Sequence, residues 1–194
     1  MLPHQIPKNA APNLNQILLN TCMKIERVWA MPSRWTFTIK PIRELLEEEM
    51  GSGFLLRGRW CDPFAGKNSP AQVRNDLNPK MPAEFHMEAL DFLEQQSDGE
   101  YDGVLFDPPY SPRQVKECYE GIGLNVTSEQ TKQTFYSKAK NRTARIIQPG
   151  GKAICFGWNS MGLGKNRGFE MTRILLVAHG GTKNDTICTV ETKL

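Results

Sequence analysis

Residues 101–112 read YDGVLFDPPYSP: an apolar run, Val104-Leu105-Phe106, that passes without a spacer into Asp107, Pro108, Pro109 and Tyr110. The run has the composition of a buried strand. Each proline fixes its own φ and restricts the residue before it, so the four residues after the strand are held stiffly. The Asp107 carboxylate and a proline carbonyl can then both accept hydrogen bonds from one amino group, while the Tyr110 ring offers a stacking face to a flat base. An exocyclic aromatic amine is a poor nucleophile because its lone pair is delocalised into the ring. Two acceptors that draw its hydrogens outward favour a more tetrahedral, attacking nitrogen, which is catalysis by positioning and electrostatics. Taken alone, Asp-Pro-Pro is also a rigid turn with a helix-capping acid.

Outward from this stretch, short apolar runs alternate with helical ones. GRWCDPFAG (58–66), QVRNDLNP (72–79), the start of AEFHMEALDFLEQ (83–95) and YDGVLFDPPY (101–110) read as four strands. Residues 114–147 are mostly helical and polar, with a break near GIGLNVTSEQ (121–130). GGKAICFGW (150–158), EMTRILLVAHGG (170–181) and DTICTVETK (185–193) read as three further strands, the last two an antiparallel hairpin joined at HGGTKND (179–185). Upstream, IKPIRELLEEEMGSG (39–53) places Ile42, Leu45, Leu46 and Met50 on one helical face, with Pro41 early and Gly51 after the end. The alternation predicts an α/β fold with a mostly parallel sheet covered by helices on both faces. Residues 1–34 hold Pro3, Pro7, Pro12 and Pro32 without a sustained period and read as an arm, with one helical turn around NQILLNTCMKI (15–25). Residues 35–194 form the single catalytic domain.

In open α/β sheets ligands bind beyond the carboxyl ends of the strands, where strand order reverses. The candidate residues all fall there. The strand ending in Asp62-Pro63-Phe64 turns through Ala65-Gly66, which lets bare backbone approach a ligand, as an adenosyl-type cofactor requires. The spacing of a phosphate-binding GxxxxGK[ST] loop is absent. Asp76, followed by Leu77, ends the next strand, where a carboxylate can accept from both hydroxyls of a ribose; an Asx-turn would use the same residue. Glu88 and Asp91 follow the third strand. Glu88, beside Ala89, comes first and is the better placed for the exocyclic amine of a cofactor adenine.

At these residues the chain resembles the S-adenosylmethionine-dependent DNA amino-methyltransferases, the adenine-N6 and cytosine-N4 enzymes. Their catalytic signature, Asp/Ser/Asn-Pro-Pro-Tyr/Phe/Trp, is matched by Asp107, Pro108, Pro109 and Tyr110, in the form associated mostly with adenine. Their cofactor signature, Asp-Pro-Phe-x-Gly-x-Gly, is matched by Asp62, Pro63, Phe64 and Gly66, with Asn68 in place of the last glycine. A Thr-x-Lys-Pro segment that touches the methionine end of the cofactor is similar to Thr38, Lys40 and Pro41. The resemblance covers about residues 36–192. It implies a Rossmann-like class I methyltransferase fold, a mostly parallel seven-stranded sheet with a C-terminal antiparallel hairpin, binding S-adenosylmethionine. It also implies direct methyl transfer to the N6 amine of an adenine flipped out of DNA onto Tyr110.

The segment CFGWNSMGLGKNRGFE (155–170) follows the fifth strand, where that family lines its base pocket. Trp158 and Phe156 are candidates for a second aromatic wall, Phe156 being equally suited to the core, and Lys165 and Arg167 for phosphate contacts. Arg113 and Lys116 sit beside the catalytic loop, as a phosphate contact or as solvated charge. Cytosine-N4 and RNA base methylation share the fold and are the rival activities. A catalytically idle module that binds cofactor or nucleic acid is the rival of another class.

Composition bounds the rest. A chain of 194 residues with 39% hydrophobic and 23% charged residues is ordinary for one globular domain. Its surplus of 24 Lys+Arg over 21 Asp+Glu permits nucleic acid without demanding it. Five cysteines, none in CxxC spacing, and three scattered histidines argue for reduced thiols in a cytoplasmic protein and against a metal. Neither a signal peptide nor a run of roughly 18 apolar residues is present, so no membrane partner is expected. Once the sheet is assigned, no separate target-recognition domain fits. A short recognition site, or help from a second subunit as a homodimer, is the expectation.

Overall fold

The computed structural model describes residues 23–51 and 57–194. Among these residues seven strands form one sheet: β1 (Lys24–Trp29), β2 (Trp60–Asp62), β3 (Val73–Arg74), β4 (Tyr101–Phe106), β5 (Ile147–Gly157), β6 (Phe169–Ala178) and β7 (Thr186–Lys193). Their order is β1-β6-β7-β5-β4-β2-β3. All pairings are parallel except those of β7, which runs antiparallel between β5 and β6. The helices are α1 (Lys40–Met50), α2 (Ala89–Gln95), α3 (Pro112–Glu120), α4 (Ser128–Thr131) and α5 (Gln133–Ile146).

Alternation along the central strands divides the core. Leu105 of β4, Ile154 of β5, Leu175 and Val177 of β6 and Val190 of β7 face α1, whose Ile42, Leu45, Leu46 and Met50 are buried at the predicted spacing. Val104, Phe106, Ala153 and Cys155 face the other way, against Phe92 and Leu93 of α2 and Ala139 and Ile146 of α5. A sheet with apolar side chains on both faces must be covered twice. Pro41 in the first turn of α1 and Gly51 at φ 83° after it mark its ends as read from the sequence.

The sheet departs from expectation at both edges. Residues 24–29, placed in the arm, form the edge strand β1 in parallel register with β6, Lys24 opposite Arg173 and Trp29 opposite Ala178. Its anchor is electrostatic. Arg173, 8% exposed, donates to Glu26 at 2.6 Å and to Glu48 of α1 at 2.5 Å. A buried guanidinium left without these partners would be costly, so strand, sheet and helix are held together. The helical turn expected at 15–25 lies largely outside the described residues, and Lys24 and Ile25 of that stretch are in β1. At the opposite edge, the third expected strand shrinks to one parallel bridge, Asn75 with Phe85.

Gly103 in β4 sits opposite Trp60 in β2. A Cβ there would lie 2.4–2.6 Å from carbons of the indole ring. Alanine in place of a strand glycine ordinarily adds stability. Here the overpacking reverses the sign, and Gly103→Ala should cost about 1–3 kcal/mol, lowering the melting temperature by roughly 2–10 °C. Thermal denaturation followed by circular dichroism measures it; an unchanged or raised midpoint would contradict the packing described.

Candidate active site

The connection leaving β2 runs toward β3, and the connection leaving β4 runs toward β5, on the other side of the sheet order. The carboxyl ends of these two neighbours therefore flank a crevice at a topological switch point. A cavity of about 390 Å³ opens there. Its wall includes Pro63, Phe64, Gly66, Asp76, Leu77, Glu88, Ala89, Asp107, Pro108, Pro109 and Tyr110, eleven of the residues singled out in the sequence.

Each acid is positioned by short-range contacts. Asp62 is fully buried behind the wall: one carboxylate oxygen accepts the Phe64 N–H at 2.9 Å and the other the Ser69 hydroxyl at 2.6 Å. It shapes the turn through Gly66 and does not face the cavity. Gly66, at φ 58°, donates its N–H to Asp76 at 2.8 Å, and the Asn78 N–H reaches the other Asp76 oxygen at 2.7 Å. A carboxylate has about four acceptor positions, so Asp76 keeps two for a ligand. Among the described residues every positive φ belongs to a glycine, so Asn68 needs no left-handed backbone where the family pattern has its last glycine.

Asn75, 1% exposed, staples three loops together. Its amide donates to the carbonyls of Pro63 and Met87 at 3.1 and 3.0 Å and accepts from the Met87 N–H. Glu88 accepts the Tyr119 hydroxyl at 2.8 and 2.6 Å from its two oxygens.

At the end of β4 the Tyr110 hydroxyl donates to the Asp107 carboxylate, while the Tyr110 N–H donates to the Gln114 side chain at 2.6 Å. The Tyr136 hydroxyl donates to the Pro109 carbonyl at 2.7 Å. Among the described residues no hydrogen bond reaches the Pro108 carbonyl. The Tyr110 ring stands edge-on to Trp158, centroids 5.7 Å apart. Ser111 caps α3 by accepting the Gln114 N–H, which fixes where the loop after β4 hands over to the helix.

Burial dominates the acid–base chemistry. It pushes Asp107 up to about 6, against the hydrogen bonds from Tyr110 and Thr36 that pull the other way. It pushes Asp62 up to about 7, opposed by the Ser69 and Phe64 contacts and reinforced by the charges of Asp107 and Asp76. Asp76 is raised by the same cause, and the Tyr110 phenol stands well above its ordinary value, first through burial and then beside the Asp107 charge. Of these groups Asp76, Asp107 and Tyr110 line the cavity, and Asp62 lies behind it.

Several sequence candidates lie elsewhere. Thr38 is exposed and bonds to Ser33 and to the Trp35 carbonyl, Lys40 pairs with Glu44 at 3.7 Å, and Pro41 opens α1; none is on the cavity wall. The preceding residues Arg34, Trp35, Thr36 and Phe37 are on it instead. Phe156 is buried and packs edge-on against Phe37, at 5.4 Å between centroids, so its ring belongs to the core. Trp158 remains exposed beside Tyr110.

Arg113 is ion-paired with Glu117 at 2.8 Å. Lys165 and Arg167 line a separate hollow with Lys140, where Arg167 is tied to Asn141 and the Leu163 carbonyl. Tyr119, Tyr136 and Gln114 escaped the sequence reading because nothing local marks a helix side chain that folds back onto a loop. Among the described residues there is no cluster of three metal-ligating side chains and no helix long and apolar enough to cross a membrane.

No family model and no curated protein matches the chain. Solved structures do. A Burkholderia thailandensis 1,6-didemethyltoxoflavin-N1-methyltransferase, with 1,6-didemethyltoxoflavin and S-adenosylhomocysteine bound, aligns with a TM-score of 0.53 at 12% identity, over 79% of this chain and 77% of that one. TrmN from Thermus thermophilus aligns with a TM-score of 0.50 at 17% identity, over 80% of this chain and 49% of that one. The N-methyltransferase NodS from Bradyrhizobium japonicum WM9 gives 0.50 at 9% identity, over 79% and 94% of the two chains. The fold is the Rossmann-like class I methyltransferase fold.

Proposed function

We propose that the protein is an S-adenosylmethionine-dependent methyltransferase whose target is the exocyclic N6 amine of adenine in DNA. One observation carries the proposal: the glycine turn at Gly66 and the Asp107-Pro108-Pro109-Tyr110 segment share the wall of one cavity. On this reading a site for a methyl donor lies beside a clamp for a planar amine.

The residues suit the cofactor. About 390 Å³ is within the usual range for a small-molecule site. Asp76 has acceptor capacity left for ribose hydroxyls, Glu88 for an adenine amine, and Phe64, Leu77, Ala89 and Val115 supply apolar wall. When bound, S-adenosylmethionine supplies a methyl group on a sulfonium, an electrophile that needs no activation by acid. What this chain must supply is position. Asp107, ionised, accepts one N–H of the target amine, and the Pro108 carbonyl accepts the other. Tyr136, by holding the Pro109 carbonyl, keeps that segment in register. Arrival of the amine exchanges one donor for another at Asp107, releasing the Tyr110 hydroxyl so that its ring can lie against the base beside Trp158.

Incubating the protein with labelled S-adenosylmethionine and DNA, then digesting to nucleosides, tests the proposal. The expected product is N6-methyladenine. N4-methylcytosine, or label in RNA alone, would replace the substrate; no transfer to any nucleic acid would overturn the activity.

A further inference from the structure

The cavity wall carries four carboxylates, and each already accepts a hydrogen bond from the chain. Asp76 takes two backbone N–H groups, Glu88 takes Tyr119, Asp107 takes Tyr110 and Glu117 takes Arg113. The wall carries two cations, Arg34 and Lys67, and among the described residues neither has an ion-pair partner. Arg34 is held in place: its guanidinium carbon lies 5.2 Å from the centroid of the Trp35 ring. That ring in turn lies 3.4–3.6 Å from where a Cβ of Gly66 would stand. The guanidinium is thus carried on an aromatic plane that packs against the glycine turn, while Lys67 is exposed and has no such support.

The methyl donor presents hydroxyls, an aromatic amine, a sulfonium and an ammonium, all suited to carboxylates and carbonyl oxygens. It presents one carboxylate, which those acids would repel. On the reading proposed above, we infer that Arg34, stacked on Trp35, binds the carboxylate of the methionine moiety of the cofactor. A guanidinium matches a carboxylate with two parallel N–H···O bonds, and stacking on Trp35 restricts the side-chain freedom that binding would otherwise remove.

Calorimetric titration with two ligands separates the alternatives. S-adenosylhomocysteine has the amino-acid tail; 5′-methylthioadenosine has the same adenosine and a thioether but no carboxylate. Wild type should bind the first more tightly. Arg34→Gln should weaken S-adenosylhomocysteine by roughly tenfold to a hundredfold, as loss of a charge-assisted pair does, and leave 5′-methylthioadenosine unchanged. Arg34→Lys should recover part of the loss, and Lys67→Gln should have little effect.

Equal weakening of both ligands in Arg34→Gln would mean that the residue acts only through Trp35, and the assignment falls. It falls equally if the preference survives in Arg34→Gln or disappears in Lys67→Gln. A wild-type protein that binds neither ligand would instead overturn the cofactor reading, and this assignment with it. Exposure of Arg34 on a loop makes the variants compatible with folding, which an unchanged melting curve verifies.

Discussion

Asp107→Ala should lower methyl transfer to DNA by a factor of about a thousand or more, while S-adenosylhomocysteine still binds within a few-fold of wild type. A single preorganised hydrogen-bonding group aimed at developing charge is worth about 10²–10³ in rate. Asp107 has a second duty, because without it the amine has no fixed orientation toward the methyl group, and misplacement by an ångström costs a further factor of about 10². On the proposed reading the cofactor lies against Asp76, Glu88 and the Gly66 turn, none of which bonds to Asp107. Binding and transfer should therefore come apart in this variant. Asp107→Asn keeps one acceptor oxygen and should fall between the two. Single-turnover transfer rates with parallel calorimetry measure both quantities. An alanine variant that retained a tenth of the rate would remove Asp107 from the clamp.

The second large effect is on stability and has an unusual direction. Asp62 is fully buried and pushed up to about 7, from 3.8 in the unfolded chain. Between those values the folded state holds a proton that the unfolded state gives up, so raising the pH favours unfolding. The contribution is fully present below about pH 4, is lost as pH rises to about 7, and is constant above. Its size is about 4 kcal/mol. Ser69 and Phe64 soften the desolvation without cancelling it. Asp107, raised to about 6, adds a contribution of the same sign over a narrower window.

Denaturant unfolding from pH 4 to 8 should therefore show stability falling with pH, where most proteins gain or stay level across this interval. Asp62→Asn can accept from Phe64 and donate to the Ser69 oxygen, and it has no proton to lose. Its curve should be flatter and should cross above that of wild type near neutrality. Parallel curves for the two proteins would refute the account.

Activity runs against stability over the same interval. The proposed clamp needs Asp107 ionised, so on that reading transfer should rise with pH through about 6. The buried acids that shape the turn and the clamp are thus least stabilising where the site is most competent. Native proteins commonly accept such a conflict at functional sites.

Much of this site was legible in the chain because its logic is local. A strand that ends in Asp-Pro must turn, a glycine three residues on lets backbone approach a ligand, and two prolines after an apolar run hold an acid and an aromatic ring stiffly. Those statements concern neighbours in sequence, and Gly66, Asp76, Glu88 and Asp107 line one cavity. The helix of residues 40–50 and the hairpin at 179–185 were legible for the same reason, periodicity and turn chemistry within a dozen residues.

What escaped depends on contacts between distant positions. Residues 24–29 belong to the sheet because Arg173 is buried against Glu26 and Glu48, partners 147 and 125 positions away. Phe156 fills the core because Phe37 stands across from it. Tyr119 and Tyr136 reach Glu88 and the Pro109 carbonyl because α3 and α5 pack back over the loop. Thr38, Lys40 and Pro41 match a family pattern, but Arg34 to Phe37 line the cavity in their place. The sequence alone specified which chemical groups stand at the strand ends, because short-range sterics and hydrogen bonding fix them. Which other side chains close over those groups was left to tertiary packing, because the burial that selects them exists only once the sheet and its helices have assembled.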